Sequence, residues 1–421
     1  MNVLTAGRGR RAQYGEVQNQ IRRHRPDYWL LVIVALLLAV GLIVVYAISP
    51  ALGATSGGTG SHYISRQVLA IGLSIVAFLI TANVPLSQWR RWQKPLLIIA
   101  LFGTLVALIT PVNPQYPAHR WIRAGGLSLQ SVEALKFALI IWLGGMLAQR
   151  MKNGTIGNTK LTLQPLLIAL GVIGLVVAGV QSDLGSTGVI VAMMAAMAFI
   201  AGMPMRRVLM IGLVVVIGTI LAVSTTAYRR DRLLTYIHPA NNCLTTGYQA
   251  CQALIAVGSG GVIGLGLGRS VQAYGYLPEA QNDSIFAIFA EKFGFIGVSL
   301  LLTLFVMLFA RLRLILERAP NNFSRLVVAG VLAWLSTQTL INIGAMLGLL
   351  PLKGITLPLI SYGGTSVLFV GAALGLVFQI SRYTSFNSRN VVRVSQRNQY
   401  EDSNDRRRVG RAYHPDPSRR T

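Results

Sequence analysis

The chain has 421 residues, 53% of them hydrophobic and only 12% charged, with a mean hydropathy of +0.56. A soluble domain carries about 25% charged residues, so the composition excludes an ordinary water-soluble fold and points to a bilayer. The net charge of +25 fits membrane topology and attraction to anionic headgroups, and no nucleic-acid partner is expected.

A basic tail, 1–27, leads into the first long apolar run. That run is too long for a signal-peptide core and lacks a small-residue cleavage site, so it reads as a retained span. Apolar runs near the roughly 20 residues needed to cross the hydrocarbon core then recur. They predict ten helical spans, at about 28–49, 64–82, 95–112, 132–149, 164–181, 187–203, 206–224, 285–310, 326–349 and 362–381. The fold class is therefore all-α and polytopic, with a membrane domain over 28–381. With both termini placed in the cytoplasm, 28 of the 38 Lys and Arg residues fall inside, as the positive-inside rule requires. The Arg-rich segment 382–421 reads as a disordered cytoplasmic tail.

The longest external segment is 225–284, and loops of such length in compact proteins are usually functional. It holds Tyr228-Arg229-Arg230-Asp231-Arg232, Gly247-Tyr248-Gln249 and a glycine-rich run from Gly258 to Gly268. Glycine lets a backbone turn sharply or approach a ligand. The run has no preceding strand, so it is not a dinucleotide fingerprint; part of 246–268 is compatible with a re-entrant or interfacial helix. Cys243 and Cys251 both lie in this segment, where a local disulfide and two unpaired thiols are both open. The five His residues fall into no metal-ligand pattern.

Thirteen acids allow elimination: seven lie on the cytoplasmic side, leaving Glu133, Asp183, Asp231, Glu279, Asp283 and Glu291. Ionisable groups in a membrane segment are costly and are functional candidates by default. Asp283 sits where a helix should begin, at headgroup depth, and Glu291 lies about 12 Å deeper along it. Asp183 is placed to cap the following helix, Glu279 to orient an exposed turn, and Asp231 to pair with the arginines beside it. Glu133 and Lys136 form an i,i+3 pair that either neutralises itself in the bundle or works with Arg120 and Arg123, whose guanidinium forks suit phosphate. Lys353 is the one cation of the last external loop, which ends in Ser361-Tyr362-Gly363-Gly364. Gln338 and Asn342 are expected to hydrogen-bond between helices.

Arg120-Trp121-Ile122, Gln130-Ser131-x-Glu133-x-x-Lys136, Gln181-x-Asp183-Leu184-Gly185, Gly247-Tyr248-Gln249, Leu277-Pro278-Glu279-x-x-x-Asp283, Pro351-x-x-Gly354 and Pro358-Leu359-Ile360-Ser361-Tyr362-Gly363-Gly364 occur in that order. Together they resemble the SEDS family, the bacterial shape, elongation, division and sporulation proteins, over roughly 28–381. Tyr228-Arg229-Arg230-x-Arg232-Leu233-Leu234 and the basic tails are similar to the division branch more than to the elongation branch. The sequence departs from the family pattern at Ser131-Val132, Ser182, Ser284 and Lys292.

The resemblance implies a SEDS fold and a peptidoglycan glycosyltransferase in the bacterial cytoplasmic membrane, at the division septum. It implies lipid II, an undecaprenyl-diphosphate disaccharide pentapeptide, as substrate. It also implies a class B penicillin-binding transpeptidase and other division proteins as partners. Asp283 is expected to be the catalytic base, with Arg120, Arg123, Glu133, Lys136, Glu279, Glu291, Lys353 and Ser361 at the substrate. No cofactor is certain; a Mg or Mn ion is the candidate to share the diphosphate charge, though the sequence offers no dedicated cage. The alternatives are a lipid II flippase, or the elongation paralogue with the same chemistry.

Overall fold

The computed structural model describes residues 21–56, 60–109, 120–124, 127–224, 243–245, 247–352 and 354–385. Lys353, the Tyr228–Arg232 run and the greater part of both tails lie outside the described residues. The chain divides into a unit spanning Arg25–Tyr383 and a second made of residues 1–24 and 384–421. The described part of the second unit includes a short strand, Ile21–Arg23.

Eleven helices run through the described residues of the large unit. They are α1 (Tyr28–Ser56), α2 (Ser61–Asn83), α3 (Leu86–Ile109), α4 (Ser131–Lys152), α5 (Thr159–Val180), α6 (Leu184–Ile200), α7 (Met205–Ser224), α8 (Tyr248–Ser259), α9 (Ile285–Arg318), α10 (Asn322–Met346) and α11 (Gly364–Ile380). A helix occupies each of the ten expected spans. Seven of them, α1 to α5 with α9 and α10, are long and apolar enough to cross a membrane, while α6 and α11 are shorter apolar helices. The extra helix is α8, in the segment where a re-entrant or interfacial helix was expected. A helix satisfies its own backbone, which is why lipid selects this architecture.

Burial separates the layers. The most apolar window of α4 is 83% buried and that of α10 67%, against 17% for α3. The last turns Ile98, Ile99 and Phe102 outward. Outward apolar side chains are unremarkable in lipid and would be a liability in water. Thus α4 and α10 are central and α3 belongs to the lipid-facing ring. Helices α2 and α11 lie against each other: Ser74 Oγ donates to the Val367 carbonyl at 2.8 Å, and the Phe78 and Phe378 rings sit 5.4 Å apart.

Three features depart from a plain helical bundle. First, Trp121–Ala124 (β1) pairs antiparallel with Leu127–Gln130 (β2), with Trp121 opposite Gln130 and Arg123 opposite Ser128. This hairpin docks through Thr365, whose hydroxyl accepts from the Gln130 N–H at 3.2 Å and donates to the Ser128 carbonyl at 3.1 Å. Second, α5 begins and ends in π-helical turns, Thr159–Leu163 and Gly174–Val180. Third, α9 is broken at Gly294 (φ 61°, ψ −165°), a backbone conformation essentially reserved for glycine.

The glycine-rich run fits into that break. The N–H groups of Leu265 and Gly266 donate to the carbonyls of Glu291 and Lys292 at 2.9 and 3.0 Å. In return Phe295 and Ile296 donate to the carbonyls of Gly261 and Val262 at 2.9 and 3.1 Å. Groups orphaned by the broken helix are therefore satisfied by protein, the condition for irregular backbone at membrane depth. A Cβ at Gly264 would lie 2.2 Å from the Lys292 carbonyl oxygen, so the two segments meet as bare backbone.

Candidate active site

The segment before α9 and the loop before α11 are stitched together. Ser361 Oγ donates to the Asn282 carbonyl at 2.6 Å and accepts from the Leu357 N–H at 2.7 Å. The Tyr362 N–H donates to the Gln281 carbonyl at 2.9 Å. Asn342 of α10 closes the join, its side-chain amide donating to the carbonyls of Asp283 at 2.8 Å and Ile355 at 2.7 Å. Ser284 is the N-cap residue of α9, so Asp283 stands just outside the helix. Asp183, by contrast, caps α6 as expected, accepting from the Ser186 N–H at 3.0 Å.

Arg120 reaches the same place from the hairpin side. Its Nε donates to the Gln181 carbonyl at 3.2 Å and its Nη2 to the Ser182 carbonyl at 2.6 Å, which fixes the plane of the guanidinium. A Cβ added at Gly354 would lie 3.6 Å from Nη1 of Arg120 and 3.7 Å from Oδ2 of Asp283. Arg120 and Asp283 thus both come close to Gly354. Ser182, Glu279 and Leu359 have left-handed φ values of 54°, 52° and 66°. They are the three non-glycine residues with positive φ among the described residues, and each belongs to a segment of this site. Such strain concentrates at functional sites.

Below this point lies a sealed polar network. Lys136 donates to Glu133 Oε1 at 2.7 Å and to Gln338 Oε1 at 2.8 Å, and its ammonium lies 4.7 Å from the centre of the Trp334 ring. Gln338 passes the connection upward, donating to the Thr356 carbonyl at 2.9 Å. Thr356 Oγ1 in turn donates to Ser366 Oγ at 3.1 Å. Gln338 and Asn342, one turn apart on one face of α10, therefore hold two points of the 351–363 loop.

Of the expected site residues, Arg120 and Asp283 both approach Gly354, and Ser361 holds the Asn282 carbonyl next to Asp283. Glu133 and Lys136 join them through Gln338, fully enclosed rather than open to a ligand. Glu279 is tied in through Asn282, whose amide donates to Glu279 Oε2 at 2.5 Å. Glu291 stands apart: its carboxylate accepts from Ser270 Oγ at 2.5 Å and from the N–H groups of Val271 and Gln272 at 2.9 and 3.2 Å. It anchors the loop before the π-helical turn at 272–276. Arg123 lies on β1, and Lys353 is outside the described residues. Cys243 and Cys251 form a disulfide, their Cα atoms 5.5 Å apart. Among the described residues no three of His, Cys, Asp or Glu gather as a metal site. Sequence reading placed Asn342 between helices; its double grip on the Asp283 and Ile355 carbonyls had no sequence signal, because backbone acceptors carry none.

Residues 28–386 match the FtsW, RodA and SpoVE family, described as cell cycle proteins. Stage V sporulation protein E of Bacillus subtilis is 36% identical over 369 residues, 87% of this chain and 99% of that one. A probable peptidoglycan glycosyltransferase FtsW of Saccharophagus degradans is 36% identical over 375 residues, 87% of this chain and 95% of its own. Among solved structures, the rod shape determining protein RodA of Thermus thermophilus superposes with a TM-score of 0.62 at 26% identity, covering 85% of this chain and 97% of that one. A chain of a peptidoglycan synthase complex, studied for its coordination of polymerization and crosslinking, gives 0.69 at 27% identity, with 85% and 98% covered. With its helical membrane fold and this match over nearly the whole bundle, the chain belongs to the FtsW/RodA/SpoVE family.

Proposed function

We propose that this multi-pass membrane protein is a peptidoglycan glycosyltransferase that polymerises lipid II at the outer membrane face, in the division role of its family. The observation that carries the reading is the approach of both Asp283 and Arg120 to Gly354. An inverting glycosyl transfer needs one base on the attacking hydroxyl and charge stabilisation at the leaving group. Asp283 takes the proton from the GlcNAc 4-hydroxyl of an acceptor lipid II. The freed oxygen attacks C1 of the MurNAc that ends the growing chain, on the face opposite the diphosphate. The C1–O bond to phosphate breaks, a β-1,4 link forms, and undecaprenyl diphosphate departs with the bonding electrons.

Arg120, its plane already set by two carbonyls, offsets the charge developing on that diphosphate. Lys353, next in the chain to Gly354, is assigned the same task, and Arg123 the outer phosphate approach. Glu133 and Lys136 act through Gln338 to hold the loop. Ser361 and Glu279 shape the turn that carries Asp283, and Glu291 fixes the neighbouring loop. A class B penicillin-binding transpeptidase is the proposed partner, by analogy with the synthase complex that shares this fold, and the septum the proposed location. The flippase alternative gains no support from Glu133 and Lys136, which face each other rather than an open polar path.

The test is glycan-strand synthesis from purified lipid II by the chain co-purified with its cognate transpeptidase. Asp283→Asn is expected to cut the rate at least 100-fold while leaving the complex intact. Polymer from the variant at the wild-type rate would remove Asp283 as the base.

A further inference from the structure

A second ionisable group in the bundle has no part in the proposed reaction. Lys292 lies on α9, 3% exposed, two residues before the break. Its ammonium donates to the Leu267 carbonyl at 2.6 Å, and the Ala47 carbonyl lies at 3.5 Å, the edge of hydrogen-bond range. An ammonium has three donors, so these two acceptors do not exhaust it. A buried cation at membrane depth whose carbonyl partners carry no charge is an expensive arrangement. The neighbouring carboxylate of Glu291 attracts it through space, but its oxygens are hydrogen-bonded to Ser270, Val271 and Gln272.

Lys292 also lines a cavity of about 530 Å³ formed between the end of α1, the start of α2 and the loop at Leu267. That volume falls in the roughly 300–1,000 Å³ range of small-molecule sites. Tyr46, Ser49, Ile64 and Tyr274 contribute to its wall, and none of its described lining residues is acidic. Tyr46 and Tyr274 are both more than half exposed, as aromatic residues at a bilayer interface are. The charge distribution of the sequence puts this end of α1 and α2 in the outer leaflet.

We propose that the cavity binds a phosphate-bearing lipid headgroup of net negative charge, with Lys292 as its charge partner and the two tyrosines at its mouth. The site is separate from the Asp283 centre, and the proposal does not depend on the polymerase reading. The shared chemistry is a lipid phosphate, supplied by an anionic phospholipid of the bilayer or by a polyprenyl phosphate.

Native mass spectrometry of the full chain released from nanodiscs tests it, with equal phosphatidylglycerol and phosphatidylcholine supplied. The wild type is expected to retain one phosphatidylglycerol with at least tenfold preference. Lys292→Met removes the charge, and Ile64→Phe fills the cavity while leaving the lysine in place. Each should bring the preference to within twofold of unity. Undecaprenyl phosphate is then added as competitor: lysine-dependent displacement assigns the site to polyprenyl phosphate, and no displacement assigns it to the phospholipid. Equal retention of both phospholipids by the wild type, without lysine-dependent binding of undecaprenyl phosphate, would overturn the proposal. Unchanged preference in a folded Ile64→Phe protein would overturn it too, and that variant decides alone if Lys292→Met fails to fold.

Discussion

Lys136 is tolerable at the centre of the bundle because each face of its ammonium meets something: a carboxylate, an amide oxygen and an aromatic ring. Removing one partner of a buried ion pair strands the other, at a cost of about 3–5 kcal/mol. Glu133→Ala is therefore expected to lower the melting temperature in detergent sharply, and the double variant Glu133→Leu, Lys136→Met to recover most of the loss. If the single variant melts like the wild type, the pair is not the brace described above. Asn342 belongs to the same scale. Asn342→Ala frees the carbonyls of Asp283 and Ile355 together, and small misplacements near a reacting centre cost on the order of 100-fold in rate. The expected result is a comparable fall in polymer synthesis with far less change in lipid II affinity, read from initial rates across lipid II concentrations. A change in affinity alone would assign Asn342 to substrate binding. That the relevant residue types were legible while their partners were not has a simple cause. A charge in an apolar run declares itself, but its hydrogen-bond partner is often a distant carbonyl.

At the scale of elements, α9 and the glycine-rich run form one structure. Gly294→Ala would place a Cβ 2.3 Å from the Gly264 nitrogen and 2.6 Å from the Val262 oxygen. Those atoms are backbone and cannot swing aside, and the φ of 61° adds strain of about 1–3 kcal/mol. The expected outcome is faster hydrogen exchange at Leu265, Gly266, Phe295 and Ile296, with lower activity; unchanged protection would show that the break is held some other way. Periodicity gave no warning of it, because residues 285–310 read as a single helical span. The hairpin at 121–130 was likewise invisible to an all-α reading, since four-residue strands carry too little alternation to register.

For the whole molecule, the charge bias makes a prediction about orientation. Protease added to right-side-out vesicles should leave epitope tags at either terminus intact and cut one inserted in the 225–242 segment. Cleavage of one terminal tag alone would mean an odd number of spans. Hydropathy and the Lys and Arg distribution suffice for span positions and membrane class, because moving a segment between water and lipid is a large, local and additive energy that each stretch carries in its own residues; the family rests on the ordered motifs. That Asp283 and Arg120 both approach Gly354, that the glycine run repairs a broken helix and that Lys292 opens onto a cavity were decided by tertiary structure. Those facts depend on short-range contacts between segments far apart in the chain, and no local preference encodes them.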